Sequence, residues 1–269
     1  IVEEFRCIFN LSIVKKLYEK DTSVDKIKDV IREEPYKCLC RLGGVGFKTA
    51  DTLLIALDKD NKECKKNGKK PVLFFGFDLA TSYQRAKACV DYLLDENENS
   101  GNTYMHVGEL KKQFDTTVPE AKGNLPIILK GENDIVFDRD SLSICKKETY
   151  ETEKYIAQRI KEGVQINNKW DCDCSKFQKL DGFELTENQC KTSKYMCEYN
   201  IVFLVGYGGS GKSSSTQAFV NMLRAYDKPH LLFAPTGRAA KVLSAFTNED
   251  AMTIHRGLGY MPPSTWCYN

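Results

Sequence analysis

The chain has 269 residues, enough for two or three small domains with cores of their own. An apolar fraction of 42% with 28% charged residues excludes a disordered polymer, and a formal net charge of +2 excludes nucleic-acid binding through bulk charge, leaving local patches. No apolar run approaches the roughly 18 residues a bilayer crossing needs and no secretory leader opens the chain, so no membrane partner and a cytoplasmic location are expected.

Residues 1–34 are expected to be helical. Phe5, Ile8, Phe9, Ile13, Val14 and Leu17 form one stripe, and Val24, Ile27, Val30 and Ile31 form another after the start signal Asp21, Thr22 and Ser23. Pro35 is expected to stop the second helix. A Gly44, Val45, Gly46 turn follows, then Phe47, Lys48, Thr49, Ala50 and Asp51 open a helix carrying Leu53, Leu54, Ile55 and Leu57. Such a hairpin between helices can grip one DNA phosphate through its amides, with Gly44, Gly46, Lys48 and Thr49 as candidate contacts. The alternative is a tight inter-helix turn used only for packing. Lys59 to Lys70 carries six lysines, expected as a solvated linker and first domain boundary, with a DNA-binding strip as the alternative.

Beyond it lie the apolar residues Val72, Leu73, Phe74 and Phe75, and a helix is expected from Ser82 with Ala86, Cys89, Val90, Leu93 and Leu94 on one side. A polar loop is expected from Asp95 to Asn102 and a short helix from Val107 to Phe114. Ile127 to Leu129 and Ile135 to Phe137 read as a β-hairpin, completing a small winged-helix-like module closed by a helix bearing Tyr150, Tyr155, Ile156, Ala157 and Ile160. Residues 171–181 are polar and irregular and mark a second boundary. Cys172 and Cys174 form a C-x-C pair there, as do Cys38 and Cys40 earlier, without the C-x-x-C spacing of a zinc site. Reduced thiols are the expectation, with a cluster of Cys172, Cys174, Cys190 and Cys197 left open.

Thr186 is placed to cap a helix, and Gln189 offers the donor and acceptor pair that reads an adenine edge. Ile201 to Val205 reads as a strand buried on both faces of a parallel sheet. It leads into Gly206, Tyr207, Gly208, Gly209, Ser210, Gly211, Lys212 and Ser213, which fit G-x-x-x-x-G-K-[ST] at every fixed position. An amphipathic helix with Ala218, Phe219, Met222, Leu223 and Tyr226 follows. Glycines let successive amides and the helix N-terminus face phosphates, Lys212 reaches the β and γ phosphates, and the Ser213 hydroxyl holds Mg²⁺. Candidate nucleotide contacts are therefore Gln189, Gly206, Gly208, Gly209, Ser210, Gly211, Lys212, Ser213 and Ser214, with Lys212 and Ser213 the catalytic pair. Leu231 to Ala234 is a second buried strand, from whose carboxyl end Thr236, Arg238 and Lys241 project on a helix with Val242, Leu243 and Phe246 inward. Thr253, His255 and Arg256 follow, as a polar DNA contact or in packing.

The sequence resembles the RecD-like DNA helicases of superfamily 1, in the branch with an N-terminal helix-hairpin-helix extension. The blocks that carry this are Glu34 to Tyr36 with Gly44 to Asp51, Gly101 to Tyr104, Tyr150 to Glu153, Leu185 to Gln189, the phosphate loop, Ala234 to Lys241 and Thr253 to Tyr260. The loop has Gly209 and Ser210 where that family commonly has Pro and Thr, and Ser213 in place of Thr, which are mild changes. The resemblance implies a mixed fold: a helix-hairpin-helix module at 1–66, a helical, winged-helix-like module at 67–172, and a partial α/β RecA-like P-loop NTPase domain at 173–269. It implies ATP and Mg²⁺ as cofactors, single-stranded DNA and single-strand/duplex junctions as partners, and 5′ to 3′ translocation. Gln189 would read adenine, and Thr236, Arg238, Lys241, Thr253 and His255 would contact the DNA track. A start at Ile1 and an end before any Asp-Glu pair beyond the phosphate loop suggest a piece of a longer protein, inactive alone, since hydrolysis needs a carboxylate that orients water. Three other readings stay open: a DNA-stimulated ATPase that remodels protein on DNA, a non-catalytic DNA-binding module with a vestigial NTPase and, from the loop alone, a nucleotide kinase.

Overall fold

A computed structural model describes Ile13 and residues 24–69, 73, 75–131, 133–166, 169–180, 182–261 and 265–266. The apolar stripe expected before residue 21 and the start signal at 21–23 lie outside the described residues, apart from a buried Ile13. The chain divides into two compact units, with the boundary between Lys154 and Tyr155. Among the described residues no helix is long and apolar enough to cross a membrane.

In the first unit, α1 (Val24–Glu33) buries Ile27 and Ile31 but leaves Val30 half exposed, as a single inward stripe requires. The helix ends before Pro35, which then opens α2 (Pro35–Cys40) at a position where its missing N–H costs nothing. Gly44 takes the left-handed conformation in the turn that follows, with φ 79°. Gly46 then caps α3 (Phe47–Lys66).

That helix corrects the linker expectation. It runs through Lys59, Lys62, Lys65 and Lys66, burying Leu57, Asp58 and Asn61 on its inner side, and Lys62 pairs with Asp58 and Asp78. The lysines are the wet face of an amphipathic helix, whose composition in isolation looks like a linker. One apolar core extends from this helix across to Ile144, and Leu73 and Phe75 are buried in it.

Helix α4 (Tyr83–Asn99) forms as expected. Ser82 Oγ accepts from the Arg85 amide, and Ala86, Cys89, Val90, Leu93 and Leu94 are all buried. Full burial of side chains the size of Val90, Leu93 and Leu94 contributes roughly 1.5–3 kcal/mol each. The helix continues to Asn99, absorbing most of the loop expected at Asp95 to Asn102, and its end is closed by Gly101 at φ 88°.

β1 (Met105–His106) and α5 (Val107–Thr117) follow, and then the hairpin is corrected. Ile127 to Leu129 belong to α6 (Leu125–Gly131), not to a strand. Leu125 and Ile128 are buried while Ile127 is exposed, so the apolar run obeys a period near three, too short to tell by pattern from a strand. The real hairpin joins β2 (Ile135–Asp138) to β3 (Ser143–Lys146), and β1 pairs on the far side of β3. Its turn is organised by Asp138, whose carboxylate accepts from the Asp140 amide and the Ser141 hydroxyl.

α7 (Lys147–Gln165) is the expected closing helix in position but not in burial. None of its residues is buried, and Tyr155, Ile156 and Val164 are 50% or more exposed.

In the second unit, β4 (Lys179–Leu180) and β5 (Phe183–Glu184) form a small hairpin ahead of α8 (Glu187–Glu198). α9 (Lys212–Ala225) packs on α8 with Ala218, Val220 and Met222 buried. β6 (Leu232–Ala234) and β7 (Ala251–Thr253) pair in parallel around α10 (Gly237–Thr247), followed by α11 (Ile254–Gly257) and the pair β8 (Tyr260–Met261) and β9 (Thr265–Trp266).

Residues 201–207 are not a strand, contrary to expectation: Phe203 and Val205 are 72% and 88% exposed. Apolar β-formers mark a segment fit for a sheet, but a strand exists only where a neighbour takes its N–H and C=O groups, and among the described residues β6 pairs with β7 instead. For the same reason Leu231 is exposed and Phe233 partly so, and on α10 Val242 and Phe246 are 55% and 43% exposed where inward positions were expected.

Candidate functional site

The loop from Gly206 to Gly211 turns sharply because Gly209 and Gly211 take positive φ, 76° and 82°. Gly211 is the left-handed cap of α9, whose first residue is Lys212. The Ser210 amide donates to Tyr207 O at 3.3 Å, closing the curl. Lys212 folds back into it: Nζ donates to Gly206 O at 2.6 Å and Tyr207 O at 2.7 Å, and lies 3.4 Å from Ser210 Oγ. Among the described residues no carboxylate pairs with this ammonium. A positive charge is thus held within a cradle at a helix N-terminus, where oriented peptide dipoles also favour an anion. The cradle has no room for a side chain at Gly206 or Gly211, while Gly208 and Gly209 face open space. A Cβ on Gly206 would stand 2.6 Å from Ser210 Oγ, and one on Gly211 2.0 Å from Gln189 Nε2. Ser213 is exposed and Ser214 half-buried beside it in the first turn. These donors fit the triphosphate and Mg²⁺ read from the sequence.

Gln189 reaches the same loop from α8. Thr186 caps that helix as expected, in a reciprocal box: the Gln189 amide donates to Thr186 Oγ1 at 3.4 Å, and Gln189 Oε1 accepts from the Thr186 amide at 2.8 Å. Gln189 Nε2 lies 3.4 Å from Gly211 O. The carboxamide expected to read adenine is therefore engaged on the helix cap and on the end of the phosphate loop, and links the two. Gly211→Ala is expected to cost about 1–2 kcal/mol from the left-handed backbone alone, and to displace Gln189 as well. The check is thermal melting of the chain and titration with a fluorescent ATP analogue; unchanged stability and affinity would contradict the geometry.

The parallel register sets Ala234 opposite Thr253, so both strands end at one edge. Thr236 caps α10 there, accepting from the Ala239 amide at 3.2 Å, and Thr253 caps α11 in the same way with the Arg256 amide at 3.2 Å. A cleft of about 780 Å³ lies alongside, lined by Lys241, Ser244, Asn248, Thr253 and Arg256 among others. The structure thus brings Lys241 and Thr253 together and adds Arg256. Thr236 and Arg238 are exposed but do not line this cleft, and His255 meets the ring of Tyr260 edge-on at 5.3 Å.

In the first unit, Gly44, Gly46, Lys48 and Thr49 are exposed while Val45 between them is buried. No side chain caps α3, so its first-turn amides are left without a capping acceptor. Tyr36, Phe47 and Tyr92 stack behind the turn, and Lys48 Nζ sits 5.5 Å from the Tyr92 ring centre. Sequence reasoning missed a charged cluster beneath it. Arg85 donates to both oxygens of Asp51 at 2.8 and 3.0 Å and to Glu120 at 2.9 Å, while the Tyr36 hydroxyl donates to Asp51 at 2.6 Å. Burial works against the Arg85 charge, yet Asp51 and then Glu120 raise its pKa above the usual value. Burial and the Asp51 carboxylate raise Tyr36, keeping its hydroxyl a donor.

Residues 189–266 match the family model described as an AAA domain. Over 78 residues the chain is 37% identical to the ATP-dependent RecD2 DNA helicase of Deinococcus radiodurans. That stretch is 29% of this chain and 11% of that protein. The AAA-domain match holds the phosphate loop, Gln189 and both strand-end blocks, and with the helicase relative it shows the likeness to a RecD-like helicase seen in the sequence.

Proposed function

We propose that a chain with an AAA-type domain similar to a RecD-like helicase grips ATP and single-stranded DNA as part of an ATP-dependent DNA helicase or translocase moving 5′ to 3′. The observation that carries this reading is the Lys212 ammonium held inside a glycine cradle at the head of α9. ATP, when bound, supplies the phosphoanhydride whose cleavage drives the motor. Lys212 draws the β and γ phosphates into the curl, Ser213 presents its hydroxyl to Mg²⁺, and Gln189 orients the base. Thr236, Arg238, Lys241, Thr253 and His255 hold the DNA backbone along the edge where β6 and β7 end. Gly44, Gly46, Lys48 and Thr49 form a helix-hairpin-helix grip on a further phosphate, and the α5, α6 and β2–β3 segment acts as a winged-helix-like support. Residues 1–66, 67–172 and 173–269 are the corresponding functional modules.

The test is strand displacement by the full-length protein on duplexes with a 5′ or a 3′ single-stranded tail. ATP-dependent displacement from the 5′ tail alone is the expected result. DNA-stimulated ATP hydrolysis without displacement on either substrate would favour a remodelling ATPase, and DNA binding with no hydrolysis would favour a vestigial motor. Binding to a single strand is expected to weaken with salt, each lost phosphate contact lowering the slope of log K against log[salt] by about 0.7. Lys241→Ala and Arg256→Ala should each reduce the slope by about that amount in fluorescence anisotropy. A slope identical to that of the parent chain in both variants would remove the cleft from the DNA track.

A further inference from the structure

The sulfur atoms of Cys172, Cys174 and Cys197 meet at one point of the second unit. Their separations are 3.5 Å for Cys172–Cys174, 3.1 Å for Cys172–Cys197 and 3.9 Å for Cys174–Cys197. Zinc–thiolate bonds of about 2.3 Å in a tetrahedron put neighbouring sulfurs about 3.8 Å apart, so the three separations bracket one tetrahedral face. A hydrophobic pocket would gain nothing from such a grouping, since thiols packed for burial alone need not converge.

The local chain explains the convergence. The Cys174 amide donates to Cys172 O at 3.1 Å, a tight turn that brings both thiols to one side, and Asp173 caps the short 3₁₀ turn Cys174–Phe177 through the Ser175 amide. Cys197 comes from the last turn of α8, and the Trp170 amide donates to its carbonyl at 2.9 Å. Met222 of α9 lies behind, with Sδ 3.6 Å from Cys172 Sγ. On the other side the three cysteines open on a cleft of about 620 Å³, also lined by Lys169, Lys191 and Lys194. Glu187, which pairs with Lys191 at 2.8 Å, and Glu198, which lies 3.8 Å from Lys194, line it too, so the cleft is mixed in charge.

We propose that Cys172, Cys174 and Cys197 form a three-thiolate zinc site, with the fourth position open to the cleft. Cys190, grouped with them on sequence alone, is not a ligand. It stands two helical turns from Cys197 on α8, about 10 Å along the axis, which exceeds what two 2.3 Å bonds can span. The ion ties the irregular segment 169–178 to α8 and sits against α9. Those helices carry Gln189 and Lys212, while the apolar cluster beside them is small, built from Leu180, Leu185 and Ala218. In so lean a core a metal clip supplies order that apolar burial does not. The inference stands on the sulfur geometry and does not depend on the helicase reading.

The full 269-residue chain, purified under reducing conditions without chelator, tests it. Expected are about one zinc per chain by elemental mass spectrometry, a thiolate-to-cobalt charge-transfer band on Co²⁺ replacement, and protection of Cys172, Cys174 and Cys197 from alkylation that a chelator removes. Cys174→Ser should drop the zinc content to near zero, with Cys190→Ser unchanged. The alkylation arm uses the parent chain, so it decides the matter even if Cys174→Ser fails to fold. Zinc-free protein with all thiols alkylated alike, a Cys172–Cys197 disulfide, or full zinc retention in folded Cys174→Ser would each overturn the site.

Discussion

Replacing Lys212 by Ala is expected to lower ATP turnover of the full-length protein by roughly 10²–10³, with single-stranded DNA affinity changed by less than about two-fold. The size follows from charge. An ammonium about 4 Å from a phosphate oxygen in a site of effective dielectric near 20 contributes about 4 kcal/mol, and each 1.4 kcal/mol is about a decade in rate. The variant also leaves Gly206 O and Tyr207 O without the donor that holds them at 2.6 and 2.7 Å. The loop therefore loses both its charge and the clasp that sets its curl. Lys212→Arg is expected to rescue poorly, because a planar guanidinium does not replace a compact ammonium inside a glycine cradle. Steady-state ATPase assays with and without DNA, beside anisotropy with labelled DNA, are the measurement; parental turnover in Lys212→Ala would sink the assignment of the loop.

What the sequence disclosed depends on how far apart the cooperating residues lie. Ser82 with the apolar face of α4, and Thr186 with Gln189 at the head of α8, are local: cap and helix lie within one or two turns, and the expected elements formed there. The phosphate loop is local too, since its curl is built by glycine φ values inside eight consecutive residues. Failures came where a segment's fate rests on a partner elsewhere. Val205 belongs to as good a strand former as the chain possesses, yet it is 88% exposed, because pairing is a property of two segments. Ile127 to Leu129 went the other way: with Pro126 in the first turn, the three residues serve a helix whose inner face needs Leu125 and Ile128. The lysines from Lys59 onward look like a linker only while Leu57, Asp58 and Asn61 on the opposite side go unread.

The candidate site divides along the same line. Thr236 and Thr253 could be assigned to strand ends from sequence, but that these ends share one edge is fixed by the parallel pairing of Ala234 with Thr253. Arg256 joins Lys241 in the cleft through that pairing. The sulfur cluster shows a C-x-C pair to the reader, while its third member lies 23 residues beyond Cys174 and arrives through the packing of α8. The Arg85 cluster gives no signal in sequence, because its partners Asp51 and Glu120 are 34 and 35 residues away in opposite directions.

Arg85→Ala is expected to destabilise the first unit by about 3–5 kcal/mol, the range for removing one partner of a buried ion pair. The side chain is 7% exposed and Asp51 is 16% exposed, so deleting the guanidinium strands a carboxylate with the Tyr36 hydroxyl as its remaining partner. Glu120 is 54% exposed and stays solvated, so its share of the loss is small. The cost is therefore that of an orphaned Asp51, not of two broken contacts. It follows that Arg85→Met combined with Asp51→Leu should recover much of the loss, since no buried charge is left alone. Arg32→Ala, at a pair with Asp29 that is about half exposed, should cost under about 1 kcal/mol. Urea denaturation of the parent and the three variants, followed by circular dichroism, supplies the values. A cost below about 1 kcal/mol for Arg85→Ala would mean that water reaches Asp51 and that the cluster is not a buried one. Because Asp51 sits in the first turns of α3, two residues after Thr49, the same variant should loosen the turn at Gly44 to Gly46. The proposed phosphate grip would then weaken without any loss of a contacting residue, separating a positioning effect of Arg85 from a direct one.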